Sequence, residues 1–329
     1  MEHAHGKGAS KKGKRKLKTW QKLIIGLGIP AILILGAVMA ILFYLESVDT
    51  KLAMEPVEME RLRETLAPRP PEPEEPYYVL VLGSDAREAG AASRSDTIML
   101  CRLDPEAKRV SILSIPRDTK IELPDYGTQK INAAMAYGGP AGAVEAVSDF
   151  VGVEIAHVVM INFDGFKGIV DRLGGVTLDV PFYTSFDTVE LQPGVQTLNG
   201  EQALAFARCR YSYTLGDFQR AANQRALLKA IARQIIQAPA SEIPGHVNSL
   251  AECMDTDLSA AQLIEMALSF EGMDVDADMY TGQVPSTTAT IDGVSYVITL
   301  NDEWATVREN YVNGTVPFVD ESNQPQVVD

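Results

Sequence analysis

An uninterrupted apolar segment near the N-terminus constrains this chain most. It runs for 23 residues, from Leu23 to Leu45, without a charged side chain. As a helix it would be about 34 Å long at ~1.5 Å per residue, enough to cross a bilayer with some tilt. Pro30 lies inside it, and membrane helices tolerate proline better than soluble helices do. The segment therefore predicts a transmembrane helix ahead of a folded body.

The charges on either side of this segment predict its orientation. Of the chain's 29 basic and 44 acidic residues, residues 1–45 hold eight basic ones and only Glu2, which leaves 21 basic and 43 acidic residues. Basic residues before a span favour a cytoplasmic N-terminus, so we expect a single-pass protein of the cell membrane with an extracellular body. A cleaved signal peptide is the alternative, but its apolar core is usually only ~7–15 residues long. The acidic body argues against nucleic acid as a partner.

Composition divides the chain into five segments. A basic cytoplasmic tail (1–22) precedes the predicted transmembrane helix (23–45). Residues 46–76 are charged and then proline-rich, which predicts an extended, semi-rigid stalk. Residues 77–314 form the predicted folded domain, and a polar tail (315–329) follows, for which we expect fraying.

Strand and helix patterns alternate within the folded domain. Tyr77–Leu82 is a nearly continuous apolar run, and the runs Thr97–Leu103 and Val110–Ile115 flank a short turn that predicts a hairpin. Phe163–Leu173 and Asp217–Ile236 have helical patterns. We therefore predict an α/β sandwich around a mixed sheet. The three cysteines form no CxxC motif, and we expect buried thiols, with one disulfide as the alternative.

Arginine is unusually frequent in the folded domain. From Pro76 onward the chain has 12 arginines and only 5 lysines. Arginine is favoured where planar, bidentate contact with phosphate or carboxylate is needed. Taken singly, each arginine is better explained by surface ion pairing with the abundant acidic residues. Seven of them lie beside turns, strand ends or helix starts: Arg87, Arg94, Arg117, Arg208, Arg210, Arg220 and Arg225.

The order of charged residues along the chain favours a ligand site instead. Asp85 and Arg87 follow the first predicted strand, Arg94 and Asp96 open the second, and Arg117 closes the third. Ligand sites of α/β sheets gather at the carboxyl ends of strands. Two carboxylates among several arginines, without histidine or cysteine, suit a hard divalent cation and a phosphate.

Seven sequence blocks in this region resemble the LytR-CpsA-Psr enzymes of bacterial cell-wall assembly. They are VLVLGSDAR, RSDTIML, VSILSIPRDT, KINAAMAYGG, VMINFDGFKGIVDRLGGV, LNGEQALAFARCR and GDFQRAANQR, in family order over residues 77 to about 236. The resemblance implies an α/β/α fold with three layers. It also implies transfer of a glycopolymer, such as teichoic acid or capsule, from a polyprenyl (pyro)phosphate carrier to peptidoglycan.

The resemblance also implies residue roles. Mg²⁺, or Mn²⁺ in its place, would be held by Asp85 and Asp96, and the catalytic residues would be Asp85, Arg117 and Arg208. Asp85 is the candidate base, although a bound metal would lower its pKa and weaken it in that role. Gln219 and Ala221 depart from the family's usual Gly and Gln. The arginines matched to phosphate binding are Arg87, Arg94, Arg117, Arg208, Arg210 and Arg220.

Helix geometry adds an expectation about Arg208 and Arg210. Residues two apart point to different sides of an α-helix but to the same side of an extended chain. If both arginines bind one phosphate, the helix starting at Gly200 should end near Arg208, with Cys209 turned into the core. The alternative is that Arg210 pairs with a carboxylate and only Arg208 contacts the ligand.

Several polar residues have structural alternatives to a role in the site. Asp118 is equally explained as an ion-pair partner of a neighbouring arginine. We expect Asn132 and Asp164 to cap helices, although Asn132 beside Lys130 is also a candidate phosphate contact. The apolar faces of the helices Phe163–Leu173 and Asp217–Ile236 would line a lipid channel, but ordinary core is the favoured interpretation.

Two other functions fit the same sequence. One is a non-catalytic receptor that binds polyprenyl phosphate or wall polymer and regulates envelope processes. The other is a lipid pyrophosphatase, which would transfer the phosphoryl group to water. Retention of both Asp85 and Asp96 favours an enzyme, because a receptor would have no need of a metal.

Overall fold

A six-stranded mixed sheet lies at the centre of the computed structural model, which describes residues 38–52, 54–68, 75–84, 94–210 and 217–319. The chain divides into two compact units, Met1–Ser47 and Val48–Asp329. In the first unit the described residues, 38–47, are helical.

The strands follow in chain order. They are β1 (Tyr77–Ser84), β2 (Ser95–Asp104), β3 (Arg109–Ser114), β4 (Lys120–Leu123), β5 (Gly127–Lys130), β6 (His157–Asn162), β7 (Val176–Val180), β8 (Thr184–Phe186), β9 (Val189–Leu191), β10 (Gly194–Leu198), β11 (Asp255–Thr256), β12 (Met279–Gln283), β13 (Ser286–Ile291) and β14 (Val294–Thr299).

The helices are numbered in the same way. They are α1 (residues 38–52), α2 (Pro56–Thr65), α3 (Ala133–Val151), α4 (Phe163–Arg172), α5 (Gly200–Arg208), α6 (Asp217–Ile236), α7 (Ile243–Leu250), α8 (Ala260–Ser269), α9 (Val275–Asp278) and α10 (Asn301–Asn313). No helix within these described ranges is long and apolar enough to cross a bilayer. The predicted span from Leu23 to Leu45 lies outside the described residues except for 38–45.

The strand order of the central sheet is β11-β6-β1-β2-β3-β12. β1 is parallel to β6 and β3 is parallel to β12, whereas β2 is antiparallel to both β1 and β3. The carboxyl ends of β1, β3, β6 and β12 therefore share one edge of the sheet with the amino end of β2. This arrangement confirms the predicted mixed sheet and its β2–β3 hairpin.

Helices cover both faces of the sheet, because successive residues of each strand point to opposite sides. In β2, Ile98 and Leu100 join a core cluster with residues of α2, α3 and α10. Met99 and Cys101 join a second cluster, which residues of α6 and α8 cover from the other side. The predicted α/β fold around a mixed sheet is confirmed, with helices on both sides.

The predicted helix boundaries agree closely with the structure. α4, α5 and α6 each start at their predicted residues, Phe163, Gly200 and Asp217. α3 is kinked at Gly138-Gly139-Pro140, where Gly139 has a φ of 63°. All three cysteines are buried as free thiols, which confirms the favoured interpretation.

The stalk prediction is wrong for the stretch that forms α2. Leu62 is fully buried and Met54 nearly so, and both belong to the core cluster beside α3. Pro56 stands at the start of α2, where proline is tolerated because the first N–H groups of a helix have no intrahelical partner. The prediction gave weight to prolines and overlooked the helical spacing of Met59, Leu62 and Leu66.

The polar C-terminal tail was predicted to begin at residue 315, which is too early in the chain. Phe318 and Val319 are buried in the core cluster, and the ring centroid of Phe318 lies 5.1 Å from that of Tyr311. The hydroxyl of Tyr311 in turn donates a hydrogen bond to the Leu100 carbonyl at 2.7 Å. Residues up to Val319 therefore belong to the folded domain.

Candidate functional site

Two adjoining cavities lie at the shared edge of the sheet. The apolar cavity, of about 670 Å³ with its mouth, lies over β6, β1 and β2. The arginine cavity, of about 860 Å³ with its mouth, lies over β2, β3 and β12. Thr97 and Gln224 line both cavities, so the two are neighbours along the sheet edge.

The apolar cavity is built from one sheet face and three helices. Val81 and Met99 supply its floor, Phe163 and Phe166 of α4 one side, and α6 another. α4 begins directly after β6 because the side-chain oxygen of Asn162 caps it, accepting a hydrogen bond from the Gly165 N–H at 2.7 Å. The interpretation of these helix faces as ordinary core is wrong in part, because both faces also line an open cavity.

Arg208 lies at the wall of the apolar cavity. Its guanidinium carbon is 4.5 Å from the centre of the Phe163 ring and 4.9 Å from that of Phe186. Such contacts attract a cation to the ring faces and hold its position. In the described part of the chain, no carboxylate forms an ion pair with Arg208, so its hydrogen-bond donors remain available.

The chain changes direction at Arg208 as predicted. α5 ends at this residue, Cys209 has extended dihedral angles of −63° and 129°, and its side chain is buried. Arg210 then lines the arginine cavity, whereas Arg208 lines the apolar one. The predicted helix end is confirmed, and Arg208 and Arg210 line adjoining cavities.

Arg117 is the central cation of the arginine cavity. It extends from just beyond β3 and donates a hydrogen bond to Asp96 at the start of β2. Asp118 lies 3.8 Å from Arg117 and 3.0 Å from Lys130. Burial acts to lower the pKa of Arg117, but the hydrogen bond and the nearby carboxylates raise it. Asp118 is therefore an ion-pair partner of Arg117 and Lys130, which is the structural role that the sequence indicated for it.

Two further arginines meet at a shared carboxylate. Asp217, the first residue of α6, lies 3.1 Å from Arg220 and 3.9 Å from Arg210. Burial lowers the pKa of the Arg220 guanidinium, with Asp217 opposing that effect. Sequence reasoning missed Asp217, although its position three residues before Arg220 on a predicted helix was a signal for this pair.

The structure brings together part of the predicted set. Asp96, Arg117, Arg210 and Arg220 line the arginine cavity. Arg94 is exposed just before β2 and does not line either cavity. Asp85 and Arg87 lie outside the described residues.

Arg225 is buried away from both cavity surfaces. Its guanidinium donates a 3.4 Å hydrogen bond to Gln283, and burial lowers its pKa to about 10. Gln283 itself lines the arginine cavity. Arg225 is therefore a buried neighbour of the site, with one amide between it and the cavity.

Two cap predictions are wrong. Asn132 stands at the start of α3 but makes no capping hydrogen bond, and its buried Oδ1 has no partner within the described part of the chain. Asp164 is exposed and pairs with Lys167 at 2.9 Å, while Asn162 caps the helix. Lys130, which stands beside Asn132 in the candidate phosphate contact, forms an ion pair with Asp118. Short polar side chains near a helix start compete for one cap, and only backbone geometry decides which of them is used.

The residues described offer a partial cation site. Asp96 supplies hard oxygen donors beside the cavity, but no three His, Cys, Asp or Glu side chains form a metal-binding group in the described ranges. Mg²⁺ is usually held by one or two carboxylates together with substrate phosphates. Asp96 therefore fits such a site if a second carboxylate and a phosphate join it.

Comparison with known proteins identifies the family. A model of the LytR_cpsA_psr family matches residues 41–312. The chain belongs to the LytR_cpsA_psr family. Among curated members, a TagU of Halalkalibacterium halodurans is 33% identical over 238 residues, which are 71% of this chain and 78% of that protein. A TagU of Enterococcus faecalis is 31% identical over 73% of this chain and 80% of that protein. Both are named polyisoprenyl-teichoic acid–peptidoglycan teichoic acid transferases.

Solved structures of LytR_cpsA_psr members share the fold. Bacillus subtilis TagV superimposes with a TM-score of 0.68 at 27% identity, covering 74% of this chain and 98% of TagV. A TagT structure with bound octaprenyl pyrophosphate lipid superimposes with a TM-score of 0.59 at 25% identity. That comparison covers 74% of this chain and 92% of TagT.

Proposed function

We propose that this protein transfers a glycopolymer of the teichoic acid or capsule type from a polyprenyl (pyro)phosphate carrier to peptidoglycan, with a phosphodiester as the new link. One observation carries the proposal: an apolar cavity adjoins a cavity lined by arginines, and Arg208 lies beside the former. This arrangement suits a substrate with an apolar chain at one end of a phosphate group. The names of the TagU relatives and the lipid in the TagT structure support the same substrate class.

The chemistry follows from the charge that the reaction develops. The hydroxyl oxygen of the acceptor forms a bond to the phosphorus that carries the glycan, and the bond from this phosphorus to the lipid phosphate oxygen breaks. Negative charge grows on the departing lipid phosphate. Arg117, Arg208 and Arg210 would stabilise that charge from fixed positions, and such prearranged groups usually supply most of the rate enhancement in phosphoryl transfer.

The apolar cavity would hold the start of the lipid tail. Its lining is almost wholly carbon, from Phe163 and Phe166 on α4 to Leu228 and Ile231 on α6. Burial of apolar surface contributes about 25 cal/mol per Å². The first isoprene units would therefore anchor the donor and leave its phosphates beside the arginines.

A divalent cation is part of this proposal. Asp96, with Asp85 as second ligand, would hold Mg²⁺, or Mn²⁺ in its place. When bound, the cation would neutralise phosphate charge. Asp96 already pairs with Arg117, so the same carboxylate would position both the cation and the guanidinium. Asp85 is also the candidate base for the hydroxyl proton of the acceptor.

We also propose that the chain is a single-pass protein of the cell membrane with the catalytic domain outside the cell. The support is the apolar segment Leu23–Leu45 and the basic residues before it. A lipid-linked donor reaches such a protein by diffusion within the same membrane. Its acceptor, peptidoglycan, lies on the side where the folded domain would be.

A transfer assay tests the proposed reaction directly. The full-length protein in detergent would be incubated with Mg²⁺, a polyprenyl-pyrophosphate-linked sugar labelled on the glycan, and peptidoglycan. We expect the label in the wall fraction, with release of polyprenyl phosphate. Release of label into water would instead identify a lipid pyrophosphatase, and tight donor binding without turnover would identify a receptor.

Matched arginine variants make this assay specific. Arg220→Ala removes a cation that lines the arginine cavity and should reduce transfer strongly. Arg172→Ala removes a surface arginine that pairs with Glu252 on another part of the domain, and it should leave transfer unchanged. Equal rates for the two variants would contradict the placement of the site.

A further inference from the structure

The hairpin β13–β14 presents one face made almost wholly of hydroxyl groups. Its register pairs Thr288 with Val297 and Thr290 with Ser295. Because cross-strand partners point to the same side of a sheet, these residues share one face. The residues of this hydroxyl face are Ser286, Thr288, Thr290, Ser295, Val297 and Thr299.

This hydroxyl face forms a wall of the arginine cavity. Thr288, Ser295 and Val297 line the same cavity as the arginines. The position of the wall is fixed, because the Val297 N–H donates a 2.8 Å hydrogen bond to the carbonyl of Asp118, beside Arg117. Thr288 and Ser295 are exposed, and in the described part of the chain no side chain or backbone group is hydrogen-bonded to their hydroxyls.

The chemistry of the wall indicates its ligand. The hairpin contributes no charged side chain to the cavity, whereas other elements contribute Arg117, Arg210 and Arg220. A hydroxyl both donates and accepts hydrogen bonds, which matches the hydroxyl groups of a sugar better than it matches a phosphate. The two groups of lining residues are therefore suited to different parts of the substrates, the arginines to phosphate and the hairpin to a neutral saccharide.

The order of the cavities along the sheet indicates whether the hairpin binds the saccharide of the donor or that of the acceptor. The apolar cavity lies over β6, β1 and β2, and the arginine cavity lies over β2, β3 and β12. The hairpin follows directly after β12, which is an edge strand of the central sheet and lines only the arginine cavity. In phosphoryl transfer the attacking and leaving oxygens lie roughly in line on opposite sides of the phosphorus. If the lipid phosphate leaves towards the apolar cavity, the acceptor must approach from the hairpin.

We propose that the hydroxyl face of β13–β14 binds the sugar of the acceptor glycan beside the reacting phosphorus. This inference rests on the proposed function. The acceptor oxygen bonds to phosphorus and the bond to the lipid phosphate oxygen breaks with its electron pair. The hydroxyl proton passes to a carboxylate of the site. Thr288 and Ser295 hold the acceptor without taking part in the proton transfer.

The test compares two sets of hairpin variants in the full-length protein. Thr288→Val with Ser295→Ala removes the two hydroxyls of the cavity wall while keeping shape. Thr287→Val, on the opposite face of the same strand, is the matched control. Two lost neutral hydrogen bonds should raise the KM for a peptidoglycan glycan fragment roughly tenfold. The kcat at saturating acceptor and the affinity for the lipid-linked donor should not change.

Three results would overturn the inference. Weaker donor binding in the double variant would assign the hairpin to the sugar of the donor. An unchanged acceptor KM would remove the hairpin from acceptor binding altogether. An equal loss in Thr287→Val would indicate a general effect on the hairpin structure.

A binding measurement separates this inference from the proposed reaction. Titration of the wild-type protein with the glycan fragment, without donor, requires no turnover. Weaker binding in the double variant supports the acceptor wall even if the wild type transfers nothing, in which case only the proposed reaction fails. Absent binding to the wild type, or equal binding to both proteins, would overturn the inference that the hairpin binds the acceptor glycan.

Discussion

The guanidinium of Arg208, the last residue of α5, lies 4.5 Å from the ring centre of Phe163, the first residue of α4. Both helices start with a side-chain cap, from Asn199 in α5 and Asn162 in α4, so their ends have defined positions. The contact fixes a cation beside an apolar cavity without neutralising it. This is the arrangement that a phosphate attached to a lipid requires.

Replacement of Arg208 tests whether its shape matters as well as its charge. Lysine keeps the charge but loses the planar fork and the stacking on Phe163, so Arg208→Lys should be nearly as defective as Arg208→Ala. A charge-assisted hydrogen bond contributes about 1.5–3 kcal/mol, or roughly ten- to a hundredfold in rate if it forms mainly in the transition state. Transfer rates of the two variants provide the measurement. Near-native transfer by Arg208→Lys would contradict a bidentate role.

Arg210 should respond differently if Asp217 is its main partner. The 3.9 Å separation of these two residues leaves its guanidinium partly committed to a carboxylate. We expect Arg210→Lys to lose less activity than Arg208→Lys, because an ammonium also pairs with Asp217. Transfer kinetics measured under identical conditions compare the two. A larger loss for Arg210→Lys would favour direct contact of Arg210 with phosphate.

The proposed metal site predicts a specific defect for Asp96→Asn. The amide keeps the shape but is a poorer ligand for Mg²⁺, and it weakens the ion pair with Arg117. We expect transfer to be nearly abolished and Mg²⁺ affinity, titrated calorimetrically with donor present, to fall. Asp164→Asn, on the exposed surface, is the matched control. Unchanged metal affinity in Asp96→Asn would remove Asp96 from the metal site.

Two substitutions in α2 test whether this helix is part of the folded domain. Leu62 is fully buried, whereas Val57 on the same helix is 71% exposed. Leu62→Ala should lower the free energy of unfolding by about 2–5 kcal/mol, because it leaves a cavity in the core. Val57→Ala should change it by less than about 0.5 kcal/mol. Urea denaturation of both variants provides the measurement. A negligible effect of Leu62→Ala would support the prediction of an extended stalk.

Burial of Cys101 predicts a dependence of stability on pH. Burial raises the pKa of its thiol from 9.0 to about 12. The folded state thus favours the neutral thiol, so this contribution to stability is complete below pH 9 and is lost as the pH rises towards about 12. Denaturation midpoints across this range should fall less steeply for Cys101→Ala than for the wild type. Rapid modification of all three thiols in the native protein at pH 9 would contradict their burial.

The proposed topology predicts which residues a protease can reach from outside the cell. Protease added to intact protoplasts should digest residues 46–329 and leave the N-terminal tail protected. Immunoblotting with epitopes at each end of the chain distinguishes these parts. Protection of the whole body, or release of a form without residues 1–45, would refute the anchor.

Local sequence patterns were sufficient for the strands β1, β2 and β3 and for the helices α4, α5 and α6. The period of two in Ile98 to Cys101 places alternate side chains in different core clusters, and this follows from strand geometry alone. The end of α5 at Arg208 was predicted from the different directions of residues two apart in helix and strand. The α2 helix was missed because nearby prolines outweighed a short apolar pattern.

The sequence by itself determined the strands β1 to β3, the helices α4 to α6 and the group of arginines near strand ends, because these depend on spacing along the chain. Only the tertiary structure decided how the charges are paired. Asp217 lies between Arg210 and Arg220, and Asp118 lies between Arg117 and Lys130. It also placed Thr288 and Ser295 of a distant hairpin in the same cavity as Arg117, Arg210 and Arg220. The hairpin reaches this cavity because it follows β12, which pairs with β3, and contacts between segments so far apart leave no periodic trace in the sequence.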